Sequence, residues 1–333
     1  MKGTDLKTGF WVTLSLVIVT VVLSALSVFI GVIEIYWGDV LGGNTGRIDI
    51  MLISRLPRLW AILCTGAGMS VAGLIMQALC QNKFVSPTTG ATIQSSQFGI
   101  LVAMIFLPGA TLAGKAIFAF ISAILGTWTF VFFILRVKFR DVVMVPLVGI
   151  MFGNIIGGVT DYFSFRYGLM QALSSWLVGD FSLIIRGRYE IVFMTVPLII
   201  AAFTFANYFN IVGMGENFSK NLGVNYSLVL FSGLSISALI TASVVVTVGS
   251  IPYLGLIVPN LVSMFKGDKI RGNLIDVALF GAVFVLICDI IGRLVIFPYE
   301  LPVNLIVGIL GSLIFIVLLL RRLNPATRKS MSA

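Results

Sequence analysis

There is no histidine anywhere in the 333 residues of this chain. Its absence removes the commonest metal ligand and the commonest general acid–base group at neutral pH. Charge is also scarce, at 11% of residues, where a soluble domain carries about 25%. With 59% hydrophobic residues, a soluble fold could not cover its surface with polar groups. Cysteine is confined to Cys64, Cys80 and Cys288, all in apolar stretches and without metal-binding spacing. They read as small buried hydrophobes, and no metal or cofactor is expected. No GxxxxGKS or GxxxxGKT phosphate loop occurs, so no P-loop nucleotide site is encoded. A membrane enzyme would need a nucleophile–base pair or a metal cluster, and these absences speak against one. The net charge of +9 comes with no basic face interleaved with aromatics, so no nucleic-acid partner is expected.

What the chain does have is long apolar runs. They lie at about 10–33, 57–80, 88–108, 113–135, 142–163, 190–209, 226–247, 249–265, 274–297 and 302–320. A helix needs about 20 apolar residues to cross a bilayer. The expectation is an all-α polytopic protein of the cell membrane, one transmembrane domain over 1–333 with about ten spans and lipid as its surroundings. The first run follows Lys2 and Lys7, is too long for a signal-peptide core and lacks a small-residue cleavage site, so it reads as a retained span. The run at 249–265 contains Pro252 and Pro259 and reads as a broken or partly re-entrant helix.

Basic residues orient the spans. With a cytoplasmic N-terminus and ten crossings, 14 of the 22 Lys and Arg fall inside and eight outside, which puts both termini in the cytoplasm. The outer excess includes Arg55 and Arg58, which flank Pro57 in RLPR, and Arg293 at the end of the ninth run. Arginine grips carboxylates in a bidentate manner, so one reading is docking of an acidic partner surface. The other is lipid headgroup binding or snorkelling. Two segments outside the spans stand out. MQALSSWLVGDF, carrying Trp176, reads as a short helix at the outer interface over about 168–181. The inner stretch 210–226 is polar, flanked by glycine and long enough for one or two short helices.

Ion-coupled transporters carry ionisable residues at mid-membrane. Here Asp161, Asp276 and Asp289 lie near span ends, and no inverted internal repeat is evident. A secondary transporter is therefore the distant alternative, and a partner that hydrolyses ATP accounts better for the energy source. The 34 glycines include Gly66, Gly68 and Gly73, and Gly149, Gly153 and Gly157 at four-residue spacing around Asn154. Close helix packing is the favoured reading. A smooth pathway wall is the other, and both can hold on different faces of one helix.

Several stretches together resemble the FecCD-type permeases, which import ferric siderophores, haem and cobalamin with an ABC ATPase. They are RLPR with GAGMSVAGLIMQALCQN at 55–82, SSWLVGDF at 174–181, GENFSKNLGV at 215–224, GSIPYLGLIVPNLV at 249–262, and DIIGR followed by ELPVNLIVGILGSLIF at 289–315. The resemblance runs nearly end to end and implies a type II ABC importer permease fold. It implies a non-enzymatic subunit that pairs with a second permease, either a copy of itself or, as favoured here, a paralogue. It also implies an ABC ATPase and an extracellular substrate-binding lipoprotein as partners. By resemblance, Arg55, Arg58 and Arg293 dock the binding protein. The coupling segment at 213–226, with Gly215, Glu216, Ser219, Leu222 and Gly223, meets the ATPase. Asn82, Phe84, Asp141 and Val142 lie at the cytoplasmic gate, and Gly149, Gly153, Asn154 and Gly157 line the path. The chain departs from the family at Lys83, Phe84 and Val85, where Pro-Leu-Ala is usual. It also departs at Ser219, at Asn260 and at GSLIF over 311–315. These departures resemble permeases for catecholate siderophores in Gram-positive bacteria. Cobalamin or haem is the alternative cargo.

Overall fold

The structure, a computed structural model, describes residues 2–31, 33, 45–136, 144–267 and 269–323. In hydrocarbon every backbone N–H and C=O must be satisfied within the protein, so an apolar chain of this kind resolves into helices. No strand occurs among the described residues, which hold two isolated bridges, Val178 with Ser250 and Ile296 with Tyr299.

The chain opens with α1 (Lys2–Phe29). A short α2 (Thr45–Ile50) runs through one π turn (Met51–Arg55) into α3 (Leu56–Leu79). Next come α4 (Thr92–Phe106), α5 (Leu112–Arg136), α6 (Met144–Arg166) and the short α7 (Met170–Leu177). A 3-10 turn (Glu190–Met194) leads into α8 (Thr195–Gly213), followed by the short α9 (Glu216–Asn221) and α10 (Tyr226–Thr247). The chain closes with α11 (Leu254–Lys266), α12 (Ile270–Leu294) and α13 (Val303–Leu323). Among the described residues, seven segments are long and apolar enough to cross a membrane, and shorter apolar helices, α4, α11 and the Val303–Leu318 part of α13, occupy the other three runs. Every apolar run thus carries a helix, and the chain is an all-α polytopic protein.

Packing centres on α3, which is enclosed by α8, α10, α11 and α12. Small residues make this enclosure possible. A Cβ on Gly73 would lie 1.9 Å from the Gly255 carbonyl oxygen, and one on Gly66 would lie 2.5 Å from that of Gly281. The α3 backbone therefore touches α11 and α12 directly, as small residues allow in lipid. The packing reading of Gly66 and Gly73 holds.

Each of two prolines leaves a helical carbonyl without its donor, and a side chain or a loop replaces the lost bond. Pro57 has no N–H to return to the preceding turn; the Ile53 carbonyl there accepts the Arg186 backbone N–H at 2.9 Å. Pro259 likewise leaves the Gly255 carbonyl without its helical donor. Gln77 Nε2 of α3 donates to it at 3.3 Å and to the Leu256 carbonyl at 3.2 Å. The run at 249–265, expected as a broken or partly re-entrant helix, is helical from Leu254 on, and the helix continues through Pro259. Residues 249–253 are non-helical, and α11 has 13 residues, about 20 Å of rise. Its irregular end is bound by protein: the Ser250 N–H donates to Leu177 and the Asp180 N–H to Val248. The run at 88–108 is also shorter than expected. Residues 82–91 fold as successive turns, and the helix starts at Thr92.

Ion pairs tie the two ends of α12 to neighbouring helices. At one end Asp289 pairs with Arg58 and Arg293, and Arg293 also meets the C-terminus of α1. At the other, Lys266 pairs with the buried Asp276, which also accepts the Thr13 hydroxyl at 2.6 Å. Both carboxylates lie near the ends of α12 and both are neutralised.

Candidate functional site

One end of the protein holds a cluster of three guanidinium groups and two carboxylates. Asp289, in the penultimate turn of α12, is 2% exposed and anchors it. Its Oδ1 accepts Arg58 Nη2 at 2.7 Å and Nε at 3.1 Å, and its Oδ2 accepts Arg293 Nη2. Asp289 and Arg293 are four residues apart, the helical spacing that lets side chains meet. Arg58 Nη1 also donates to Glu300 Oε2 at 2.6 Å. A buried charge is tolerated when it is paired and hydrogen-bonded, and Asp289 meets that condition.

Arg55 and Arg293 face inward. Arg55 donates to the carbonyls of Val28, at 2.6 Å, and Ile33. Arg293 donates to the carbonyls of Ser27, at 2.8 Å, and Ile30, at 3.0 Å, and to the Ser27 hydroxyl. The last carbonyls of a helix lack internal donors, and cations there also suit the helix dipole. The two arginines thus cap the end of α1. Of the three arginines read as docking groups, Arg58 has a partner, Glu300, that is itself a quarter exposed.

The other end carries α9. Gly215, at φ +111°, and Gly223, at φ +72°, bracket it in conformations that only glycine adopts without strain. The Val224 N–H reaches the Ser219 carbonyl at 2.9 Å and the Gly223 N–H reaches that of Lys220 at 3.0 Å, a Schellman ending. Ser219 is buried, and its hydroxyl donates to Gly215 at 2.8 Å and to Ile211 at 3.2 Å, fastening α9 to α8. Serine in place of alanine therefore adds a tether. The outer face of α9 is open. Phe218, Leu222 and Met214 are exposed, beside an exposed Glu216–Lys220 pair at 2.7 Å. Asn225 then caps α10, accepting the Leu228 N–H at 3.1 Å.

Between the ends of α3, α8, α11 and α12 nearest α9 lies a cavity of about 640 Å³, lined in part by Gln81, Asn82, Lys83, Lys269 and Asn273. Asn82 is buried and accepts the Phe84 N–H at 2.9 Å. Phe84 meets Phe315 of α13 edge-on at 6.2 Å. Asn260 Nδ2 donates to the Lys83 carbonyl at 2.8 Å, which ties this loop to α11. Asp141 and Val142 lie outside the described residues. On α6, Gly149 is taken up by packing, since a Cβ there would lie 1.9 Å from the Thr89 carbonyl oxygen. Gly153 abuts Gln94 at 3.1 Å on the same basis, Gly157 faces open space, and Asn154 is exposed.

The short helix α7 spans Met170–Leu177, less than the expected 168–181. Trp176 donates to the Val246 carbonyl at 3.1 Å and carries the Lys115 ammonium over its ring at 4.2 Å. No group of three or more Cys, Asp and Glu is placed to hold a metal among the described residues.

The FecCD transport family matches residues 17–321. The chain belongs to this family. It is 46% identical over 307 residues to the petrobactin import system permease protein YclN of Bacillus subtilis, covering 92% of this chain and 97% of that one. It is 38% identical over 309 residues to the petrobactin import system permease protein FatD of Bacillus anthracis, covering 93% and 91%. The ferric-anguibactin transport system permease protein FatD of Vibrio anguillarum is 34% identical over 309 residues, covering 93% and 98%. The fold matches a transporter assigned to the metal-chelate type of ABC transporter and solved in an inward-facing conformation. The TM-score is 0.78 at 23% identity, over 93% of this chain and 98% of that one. This FecCD-family chain is thus a multi-pass membrane protein.

The sequence names the arginines, but the pairing of Arg58 and Arg293 with Asp289, and of Arg58 with Glu300, was missed. The signal was present: Asp289 and Arg293 sit at helical spacing in DIIGR, and both acids fall in the two stretches that carry the resemblance. Gln77 was missed as well, although a proline inside an apolar run leaves a carbonyl that some donor must meet.

Proposed function

We propose that this chain is the permease subunit of an ATP-driven importer that moves a ferric siderophore into the cytoplasm. The observation that carries this reading is the nearly full-length similarity to three permeases of siderophore import systems. It favours a siderophore over cobalamin or haem, and a catecholate type is the narrower proposal. ATP is hydrolysed by a separate ABC ATPase. Both termini lie in the cytoplasm, and so does α9.

The geometry supports a division of labour. The exposed Phe218 and Leu222 give α9 an apolar contact for the ATPase, while the Ser219 tether and the two flanking glycines hold the helix rigid against α8. Force on α9 is thereby passed to α8 rather than absorbed by a loose loop. The outer face around Arg58 docks an acidic surface of the extracellular binding lipoprotein. Asn82 and Phe84, with Asp141 and Val142, form the cytoplasmic gate. Asn154 and Gly157 face the path shared with a second permease, preferably a paralogue. A siderophore encloses its iron, so the path needs no metal ligands. It needs weak contacts, because the cargo must also leave.

The test is uptake of iron-labelled chelates by cells with and without this gene, across catecholate, hydroxamate, haem and cobalamin cargoes. Loss of uptake confined to one siderophore class is expected. Loss confined to haem or cobalamin refutes the siderophore reading.

A further inference from the structure

The outer cluster contains one more guanidinium than carboxylate, and its two carboxylates differ sharply in setting. Asp289 is 2% exposed on α12, holds Arg58 and Arg293 together, and is enclosed by both. Glu300 is 25% exposed, sits in the loop between α12 and α13, and bonds only Arg58 among the described residues. Beside it, residues 294–299 are exposed and include Val295, Ile296, Phe297 and Tyr299. Arg58 itself is 12% exposed, with Glu300 over its outward Nη1. The inner half of the guanidinium is already satisfied by Asp289.

We infer that Glu300 is a stand-in for a carboxylate of the docked partner. On docking, the partner's acid takes the Nη1 edge of Arg58 and displaces Glu300, while Asp289 keeps the buried charge paired. The surface therefore fits a partner that presents an acidic side chain within an apolar rim, able to cover residues 294–299. Arg55 and Arg293 do not meet that acid. They stay on the α1 carbonyls, so docking is read through a single guanidinium. The exchange trades one ion pair for another, which makes the contact selective while keeping it weak enough to release. This inference rests on the docking role proposed above for the Arg58 face.

The test measures association of the soluble domain of the system's own binding protein with the full transporter complex in lipid nanodiscs. Glu300→Gln removes the internal competitor but leaves Asp289 on Arg58, so the complex is expected to assemble normally. The association rate is expected to rise about three- to ten-fold, and Glu300→Asp to fall between the two. Arg58→Glu, measured alongside, is expected to slow association. If Glu300→Gln leaves the rate unchanged or lowers it while Arg58→Glu slows docking, the stand-in role is overturned and the docking face survives. If neither substitution changes the rate, the docking role of this face fails and the stand-in role falls with it.

Discussion

Replacing Asp289 with asparagine is the sharpest perturbation of the outer cluster. Three guanidinium groups face two carboxylates there, an excess of one positive charge. Asp289→Asn raises the excess to two and breaks the contacts to Arg58 and Arg293 together. The site is 2% exposed, so water cannot compensate. Removing one partner of a buried ion pair costs about 3–5 kcal/mol, because the other charge is left uncompensated. The comparator is Glu300→Gln, a quarter exposed, where about 1 kcal/mol or less is expected. The assay is the fraction of detergent-solubilised protein that stays monodisperse after heating. Asp289→Asn is expected to lose its monodisperse fraction at a clearly lower temperature than Glu300→Gln. The double substitution Asp289→Asn with Arg293→Met should recover part of the loss, since it removes one of the stranded cations. Wild-type heat resistance in Asp289→Asn, or a larger loss in Glu300→Gln, would refute the reasoning.

Gly73→Ala places a methyl group 1.9 Å from the Gly255 carbonyl oxygen, so α3 and α11 must part; a loss of about 1–3 kcal/mol is expected in the same heating assay, and no loss contradicts the close approach. Gln77→Leu removes the donor to the Gly255 and Leu256 carbonyls beside Pro259, for an expected loss of about 1–3 kcal/mol, and an unchanged protein would show that those carbonyls are met otherwise. Phe218→Ser together with Leu222→Ser alters exposed positions on α9, so heat resistance should hold while co-purification of the ATPase falls about tenfold or more; retained co-purification would place the contact elsewhere.

The helices were legible because each apolar run is long and bounded by charge, glycine or proline. The run 226–247 coincides with α10. The breaks in the runs were legible only in part. The prolines announced an interrupted segment, but the helix runs on through Pro259; that it starts only at Leu254 depends on bridging to Leu177 and on the positive φ at Tyr253. The run at 88–108 opens on Thr88, Thr89 and Gly90, and the Ser86 and Thr89 turn bonds take that backbone instead of a helix. The arginines were legible as a group against the topology bias. Their direction was not, because it is set by α1 carbonyls far away in sequence. Glycine roles were similarly divided. Gly149 and Gly157 belong to one four-residue series, but Gly149 is closed by Thr89 and Gly157 is open. Periodicity cannot tell a packed face from an open one.

Glu216–Asn221 is proposed to receive motion from a separate ATPase, and no ionisable group is proposed to harness a gradient. The direct measurement is uptake of the iron-labelled chelate into proteoliposomes holding the full complex, with pH and sodium equal on both sides. Uptake is expected only with hydrolysable ATP and the ATPase present, and is expected to vanish with a non-hydrolysable analogue. Uptake by this chain without the ATPase, driven by an imposed proton or sodium gradient, would contradict it.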